Sequence, residues 1–315
     1  MTKPHVLQLG SYPDWDQAPL EASFTMHWYD RAPDKVAFLA QVGPQIKAIA
    51  TNGGVGAGAA IIAACPALRI IAVYGVGYDA VDLAACKARG IAVTNTPDVL
   101  TADVADLAVG MMLAQARGML PAERWARSGD WVTKGGFALT GRVSGKKAGI
   151  LGLGRIGAAV ARRLAAFDMD IAYSAQGPKA DAAQWAFIAD PVALAARSDF
   201  LFVTLAASAA TRHIVDRSVI AALGPTGMVI NVSRAANIDE TALLDALESG
   251  ALGSAALDVF EAEPALNPRF LALPNVLLQP HIGSGTVETR RAMGQLMRDN
   301  LSAHFAGLPL PTAVL

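Results

Sequence analysis

Cysteine, aromatic rings and charge are all scarce in this sequence. Only Cys65 and Cys86 occur among 315 residues, at no recognisable ligand spacing. That excludes a disulfide scaffold and a cysteine-built zinc centre, and reads as buried thiols in a reducing cytosol. Charged residues make up 17%, and 26 Lys+Arg nearly cancel 27 Asp+Glu. No basic field is therefore available to attract nucleic acid or an anionic membrane. The start, Met1-Thr2-Lys3-Pro4-His5, leads into a short apolar run with neither the core nor the cleavage site of a signal peptide. Residues 48–68 carry no charge and are long enough to span a bilayer. Thr51-Asn52-Gly53-Gly54, Gly56, Gly58 and Pro66 break them instead into strand, glycine turn and helix. A cytoplasmic, globular protein without a metal centre is expected, and the length suits two domains.

What the sequence does contain is alternation. Strand candidates at residues 6–9, 46–51, 70–73 and 91–94 are separated by helical stretches at 35–42, 57–64 and 81–89. A second series has strands at 148–151, 171–174, 200–205, 228–232, 255–259 and 276–278, with a helix at 155–167. Strands alternating with helices predict two mostly parallel sheets, an arrangement that commonly leaves a ligand cleft between units. Between the series, residues 101–117 predict a buried apolar helix. Residues 122–145, with Trp125, Trp131 and Phe137 among Gly, Lys and Arg, predict a polar, irregular stretch, either a surface loop or an arm packing on another subunit.

The strongest local motif is Gly152-Leu153-Gly154-Arg155-Ile156-Gly157, placed after a strand and opening an amphipathic helix. Its first glycine permits a tight turn, its second admits a pyrophosphate to the backbone, and its third allows close helix–strand packing. An NAD site puts Asp or Glu at the end of the next strand. Asp170 has roughly that spacing but precedes the strand's apolar residues, while the far end offers Ser174 and Gln176, with Lys179 behind them. Hydroxyl, amide and ammonium groups suit a 2′-phosphate. NADP(H) is thus expected over NAD(H), with Arg155 as a second cation.

Three further strand ends carry chemistry: Arg234 after Asn231-Val232-Ser233, the carboxylates of Asp258-Val259-Phe260-Glu261-Ala262-Glu263-Pro264, and Pro280-His281-Ile282-Gly283-Ser284. Together they supply an anion clamp, an acid/base and a carboxylate partner for it, the set that hydride transfer to a 2-oxo acid requires.

In order and spacing these segments resemble the D-isomer-specific 2-hydroxyacid dehydrogenases over nearly the whole chain, most of all NADPH-dependent glyoxylate/hydroxypyruvate reductases and hydroxyphenylpyruvate reductases. Asn95-Thr96-Pro97-Asp98-Val99-Leu100-Thr101 and Gly283-Ser284-Gly285-Thr286-Val287-Glu288-Thr289-Arg290 support it. The resemblance implies two Rossmann-like/flavodoxin-like α/β domains with the active site in their cleft. A discontinuous substrate domain would take residues 1–98 and 284–315, and a dinucleotide domain residues 99–283. It further implies that Arg234 holds the substrate's carboxylate and carbonyl oxygen, and that His281 protonates the carbonyl. Glu263 would favour the imidazolium form of His281. The Val76 and Gly77 amides would bind the carboxylate. Thr101, Val232, Asp258 and Ser284 would join Gly152, Gly154, Arg155, Ile156 and Gly157 around the cofactor, with Asp258 at the nicotinamide amide. A homodimer is implied, with Trp131 or Phe137 reaching the partner's site. One departure is that Ala235, where the family commonly has glycine, follows Arg234. The expected activity is reduction of glyoxylate, hydroxypyruvate or phenylpyruvate-type acids to D-2-hydroxy acids. The competing readings are a dinucleotide-sensing, corepressor-like binding protein on the same fold and an NAD-dependent D-2-hydroxyacid dehydrogenase.

Overall fold

The computed structural model describes residues 3–315. In chain order the elements are β1 (His5–Gln8), α1 (Asp14–Ser23), β2 (Thr25–Trp28), α2 (Lys35–Val42), β3 (Ile46–Asn52), α3 (Ala59–Ala64), β4 (Ile70–Tyr74), α4 (Leu83–Ala88) and β5 (Ala92–Thr94). Then follow α5 (Thr101–Ala116), α6 (Met119–Arg127), α7 (Asp130–Lys134), β6 (Lys147–Leu151), α8 (Arg155–Ala165), β7 (Asp170–Ser174), β8 (Ala186–Phe187), α9 (Pro191–Ala196) and β9 (Phe200–Val203). The last elements are α10 (Arg217–Leu223), β10 (Met228–Asn231), α11 (Glu240–Ser249), β11 (Ser254–Leu257), β12 (Val276–Leu278) and α12 (Val287–Phe305). They gather into two units, residues 1–100 with 286–315, and residues 101–285.

The first unit is a five-stranded parallel sheet of order β2-β1-β3-β4-β5. Leu7, Ile49, Ile71 and Val73 face one way and pack with Val42, Ile62, Cys65, Leu68 and Cys86. Both cysteines are thus core residues, and burial pushes the Cys65 thiol up to about 11. The opposite face lies under α1 and α12, which meet where Gly294 leaves room for Asp16. Neither α1 nor β2 is among the expected elements. Proline at position 19 and four acids and amides hide the apolar stripe of α1, and β2 is a short, half-polar edge strand.

The second unit holds seven parallel strands in the order β12-β11-β10-β9-β6-β7-β8. Read from β8, that is the doubly wound 3-2-1-4-5-6 order extended by one strand, and the order of winding reverses between β6 and β9. Leu201 and Val203 face α9, α10 and α11, whose Leu194, Val219, Leu243 and Leu247 complete one core. On the other face α5 packs on α8 and on β10 to β12. The expectation of an irregular stretch holds for residues 135–145 and is corrected before them, where α6 and α7 are helical. Gly118 (φ 54°) and Gly129 (φ 81°) mark left-handed breaks, and between and after them Glu123–Arg127 and Asp130–Lys134 pairs at i,i+4 support α6 and α7. Among the described residues no helix is long and apolar enough to cross a membrane, and no group of three or more His, Cys, Asp or Glu side chains is placed to hold a metal ion.

Candidate active site

In the second unit the expected residues collect at the carboxyl ends of the strands, the ligand edge of such sheets. The glycine turn follows β6 at the reversal point. Gly152 sits at φ 96°, and a Cβ there would lie 2.6 Å from Leu205. One on Gly157 would lie 2.2 Å from the Gly152 carbonyl oxygen. Thr204 Oγ1, from the end of β9, donates to that same carbonyl at 2.7 Å. Gly154 differs: a Cβ there meets nothing within 4 Å. Two glycines are therefore demanded by the fold and one by open space at the start of α8, whose first amides have no helical acceptor. That cradle fits the pyrophosphate of a dinucleotide.

At the end of β7, Ser174 is buried and its hydroxyl donates to the Ala189 carbonyl at 3.0 Å. Gln176, Lys179 and Arg155 are exposed. Asp170 opens the strand, at the opposite end, and pairs with Arg197. Thr101 begins α5, Val232 follows β10 and Ser284 follows β12.

His281, Glu263, Arg234 and Asp258 come together. His281 Nδ1 and Glu263 Oε2 are 2.6 Å apart, and Glu263 Oε1 accepts the Phe260 amide at 2.9 Å. Burial would raise the Glu263 carboxyl. The His281 hydrogen bond, the Phe260 amide and the charges of His281 and Arg234 outweigh it and hold the group below its ordinary value. His281 occupies the left-handed region, at φ 54°, an unusual state for a side-chain-bearing residue. Asp258, 1% exposed, holds that turn by accepting both following amides, Ile282 and Gly283, at 2.8 Å each. Burial raises the Asp258 carboxyl despite those two amides. Arg234 leaves β10 through a turn built by Asn231, whose Oδ1 accepts the Ser233 amide and hydroxyl and whose Nδ2 donates to the Arg234 carbonyl.

In the first unit, the turn after β4 carries Val76 and Gly77. Thr96 binds Gly75 twice: its Oγ1 accepts the Gly75 amide at 3.0 Å, and its own amide donates to the Gly75 carbonyl at 2.8 Å. Asn95 Nδ2 donates to the Val76 carbonyl at 2.8 Å. The turn's carbonyls are thus held, whereas the Val76 and Gly77 amides have no acceptor among the described residues. Adjacent amides left in this way form an anion nest. Asn95, Thr96 and Asn231 hold these turns in place, a task that the sequence reading did not assign to them. The first two lie in the quoted Asn95-Thr96-Pro97 segment, but their grip on a distant turn leaves no trace in spacing.

Residues 109–283 match the family model for the D-isomer specific 2-hydroxyacid dehydrogenase, NAD binding domain. The chain is 46% identical over 296 residues to hydroxyphenylpyruvate reductase of Plectranthus scutellarioides, covering 94% of each. Among solved structures, 2-hydroxyacid dehydrogenase from Ketogulonicigenium vulgare Y25 is 67% identical with a TM-score of 0.94, over 100% of this chain and 99% of that one. The NADPH-dependent glyoxylate/hydroxypyruvate reductase of Sinorhizobium meliloti, solved in complex with NADP and malonate, is 40% identical with a TM-score of 0.94, over 99% and 97%. On this match of sequence and fold, the chain belongs to the D-isomer specific 2-hydroxyacid dehydrogenase family.

Proposed function

We propose that the protein is an NADPH-preferring reductase of small 2-oxo acids, glyoxylate and hydroxypyruvate first and phenylpyruvate-type acids second, forming D-2-hydroxy acids. The observation that carries this reading is the 2.6 Å pair of His281 Nδ1 and Glu263 Oε2, with the Arg234 charge acting on the same carboxylate. Relatives named for reduction of glyoxylate, hydroxypyruvate and hydroxyphenylpyruvate support the substrate class.

When bound, a reduced nicotinamide supplies the hydride. Gly152, Gly154, Arg155, Ile156 and Gly157 would hold its pyrophosphate side. Ser174, Gln176 and Lys179 would read the 2′-phosphate. Thr101, Val232, Asp258 and Ser284 would complete its contacts. The residues' own work is positional and acid–base. Ionised Glu263 would accept from Nδ1, which leaves Nε2 as the nitrogen that, in the doubly protonated ring, would deliver a proton to the substrate's carbonyl oxygen. The Arg234 guanidinium steadies that oxygen and the neighbouring carboxylate, for which its planar fork is suited. The Val76 and Gly77 amides would also bind the carboxylate. The exposed apolar arm supports a homodimer, and the two buried thiols suit a reducing cytoplasm.

The test is loss of reduced-nicotinamide absorbance with NADPH against NADH, using glyoxylate, hydroxypyruvate and phenylpyruvate. Faster turnover with NADPH is the expected result. Dinucleotide binding without turnover on any of the three would overturn the reading in favour of a sensing role.

A further inference from the structure

We propose that Arg290 receives a second, distal carboxylate, so that 2-oxo dicarboxylic acids are substrates alongside the small monocarboxylic ones. The inference rests on the reductase reading and extends its substrate class; the reaction at the 2-oxo group is unchanged.

The argument begins with the direction of α12 in the first unit. Its first turn meets the carboxyl end of β4, where Tyr74 Oη donates to the Arg290 carbonyl at 2.6 Å. Its last turn carries His304, which feels the charge of Arg69 just before β4 begins. Arg290 therefore stands at the carboxyl edge of the five-stranded sheet, where α/β sheets take their ligands. The residue is half-buried, and its guanidinium Cζ lies 5.9 Å from the centroid of the Tyr74 ring. Among the described residues no carboxylate or carbonyl pairs with it.

Two features make that placement costly without a ligand. Arginine withdrawn from water is normally paired, and the first turn of a helix is the wrong end for a cation. The same helix shows the ordinary solution: Arg298 binds Asp16, a fully buried carboxylate that Tyr74 Oη also approaches at 3.2 Å. That acid is therefore already engaged. Arg291 is exposed and lies over Trp15, 5.5 Å from the ring centroid.

Tyr74 ties Arg290 to the anion nest. It directly precedes Gly75, Val76 and Gly77, so one side chain and two peptide links separate an unpaired guanidinium from two unpaired amides. The amides suit one carboxylate. The guanidinium fork suits another, bidentately. Glyoxylate, with a single carboxylate, leaves Arg290 unused.

The experiment compares 2-oxoglutarate with 5-methyl-2-oxohexanoate, in which two methyl groups replace the distal carboxylate oxygens, with glyoxylate as reference. Wild type is expected to favour 2-oxoglutarate over the neutral acid by about 10-fold or more in kcat/KM. In Arg290→Met, the ratio of kcat/KM for 2-oxoglutarate to that for glyoxylate should fall roughly 10–100-fold, the scale of a lost charge-assisted pair, with Arg290→Lys between. An unchanged ratio, or a wild-type preference for the neutral acid, overturns the proposal. The wild-type comparison stands even if Arg290→Met fails to fold. Calorimetry with glutarate, which cannot be reduced, separates this proposal from the reading beneath it. Glutarate binding lost in Arg290→Met, but without turnover of any 2-oxo acid, would sustain the site and sink the reductase. Equal glutarate binding by both proteins would sink the site alone.

Discussion

His281 is held through Nδ1 by Glu263, which leaves Nε2 as the nitrogen able to hand a proton to a substrate oxygen. His281→Ala should therefore lower kcat by roughly 10²–10⁴-fold, the usual loss when a general acid is removed. Pre-steady-state NADPH oxidation with glyoxylate would read it directly, and a loss confined to KM would refute the assignment. Glu263 has a second, thermodynamic consequence. Its folded-state carboxyl is held below the ordinary value, so the unfolded chain takes up the proton first. Its contribution to stability is full above the unfolded value of about 4.3 and disappears as pH falls through the folded one. Urea titrations of Glu263→Gln should show a shallower acid loss of stability than wild type over that window. The identities of His281, Glu263 and Arg234 were legible because each stands at a strand end in a recognisable segment. The grip of Asp258 on the Ile282 and Gly283 amides, and of Thr96 and Asn95 on the nest, was not. A backbone partner 19 to 25 positions away is chosen by tertiary packing, which no local spacing encodes.

The glycine turn of β6 and α8 makes a prediction at the scale of the element. Gly157→Ala would drive a methyl against the Gly152 carbonyl and Thr204, so a large fall in melting temperature is expected. Gly154→Ala meets open space at an ordinary φ of −86°. It should keep the wild-type melting temperature and weaken dinucleotide binding, measured by fluorescence titration with NADPH. Loss of both properties in both variants would mean that the turn is structural alone. The edge of the first sheet gives another. His27 on β2 contacts His5 on β1, ring nitrogen to ring nitrogen at 2.9 Å. Burial first, and then the His5 charge, lower the His27 pKa. The unfolded chain thus binds this proton first, and stability is lost as pH falls through about 6.5 toward the folded value. His27→Asn should flatten stability between pH 7 and 5, as followed by chemical denaturation. Strands buried on both faces, such as Ile70–Tyr74 and Phe200–Val203, were readable as continuous apolar runs. Edge strand β2 and the proline-bearing α1 were not, because neither shows a period long enough to detect.

At the scale of the whole molecule, both sheets follow the parallel, ligand-binding orders that their alternating sequence predicts. The arm has no such internal explanation. Within it Phe137 packs edge-on to Trp125 and Lys134 lies over the same indole, so those rings stabilise the arm itself. Val132 and Leu139, by contrast, are 91% and 102% exposed, and Trp131 is 67% exposed. Leu139 also borders an open groove of about 470 Å3, where Leu113, Val143 and Phe167 stand among Arg117, Thr140, Arg142 and Ser144. Three large apolar side chains at this exposure on one short arm suit an interaction surface, and in a chain expected to self-associate a second copy is the simplest occupant. Sedimentation velocity should give a dimer for the wild type and a monomer for the Val132→Glu/Leu139→Glu double variant, whose substitutions touch no buried group. The kinetics of that monomer then decide what the arm does. If Trp131 reaches the partner's site, KM for hydroxypyruvate should rise in the monomer and equally in dimeric Trp131→Ala. If only the monomer changes, the arm acts through assembly rather than through its indole. A double variant that remains dimeric would place the interface elsewhere and leave the exposed arm without its proposed cover.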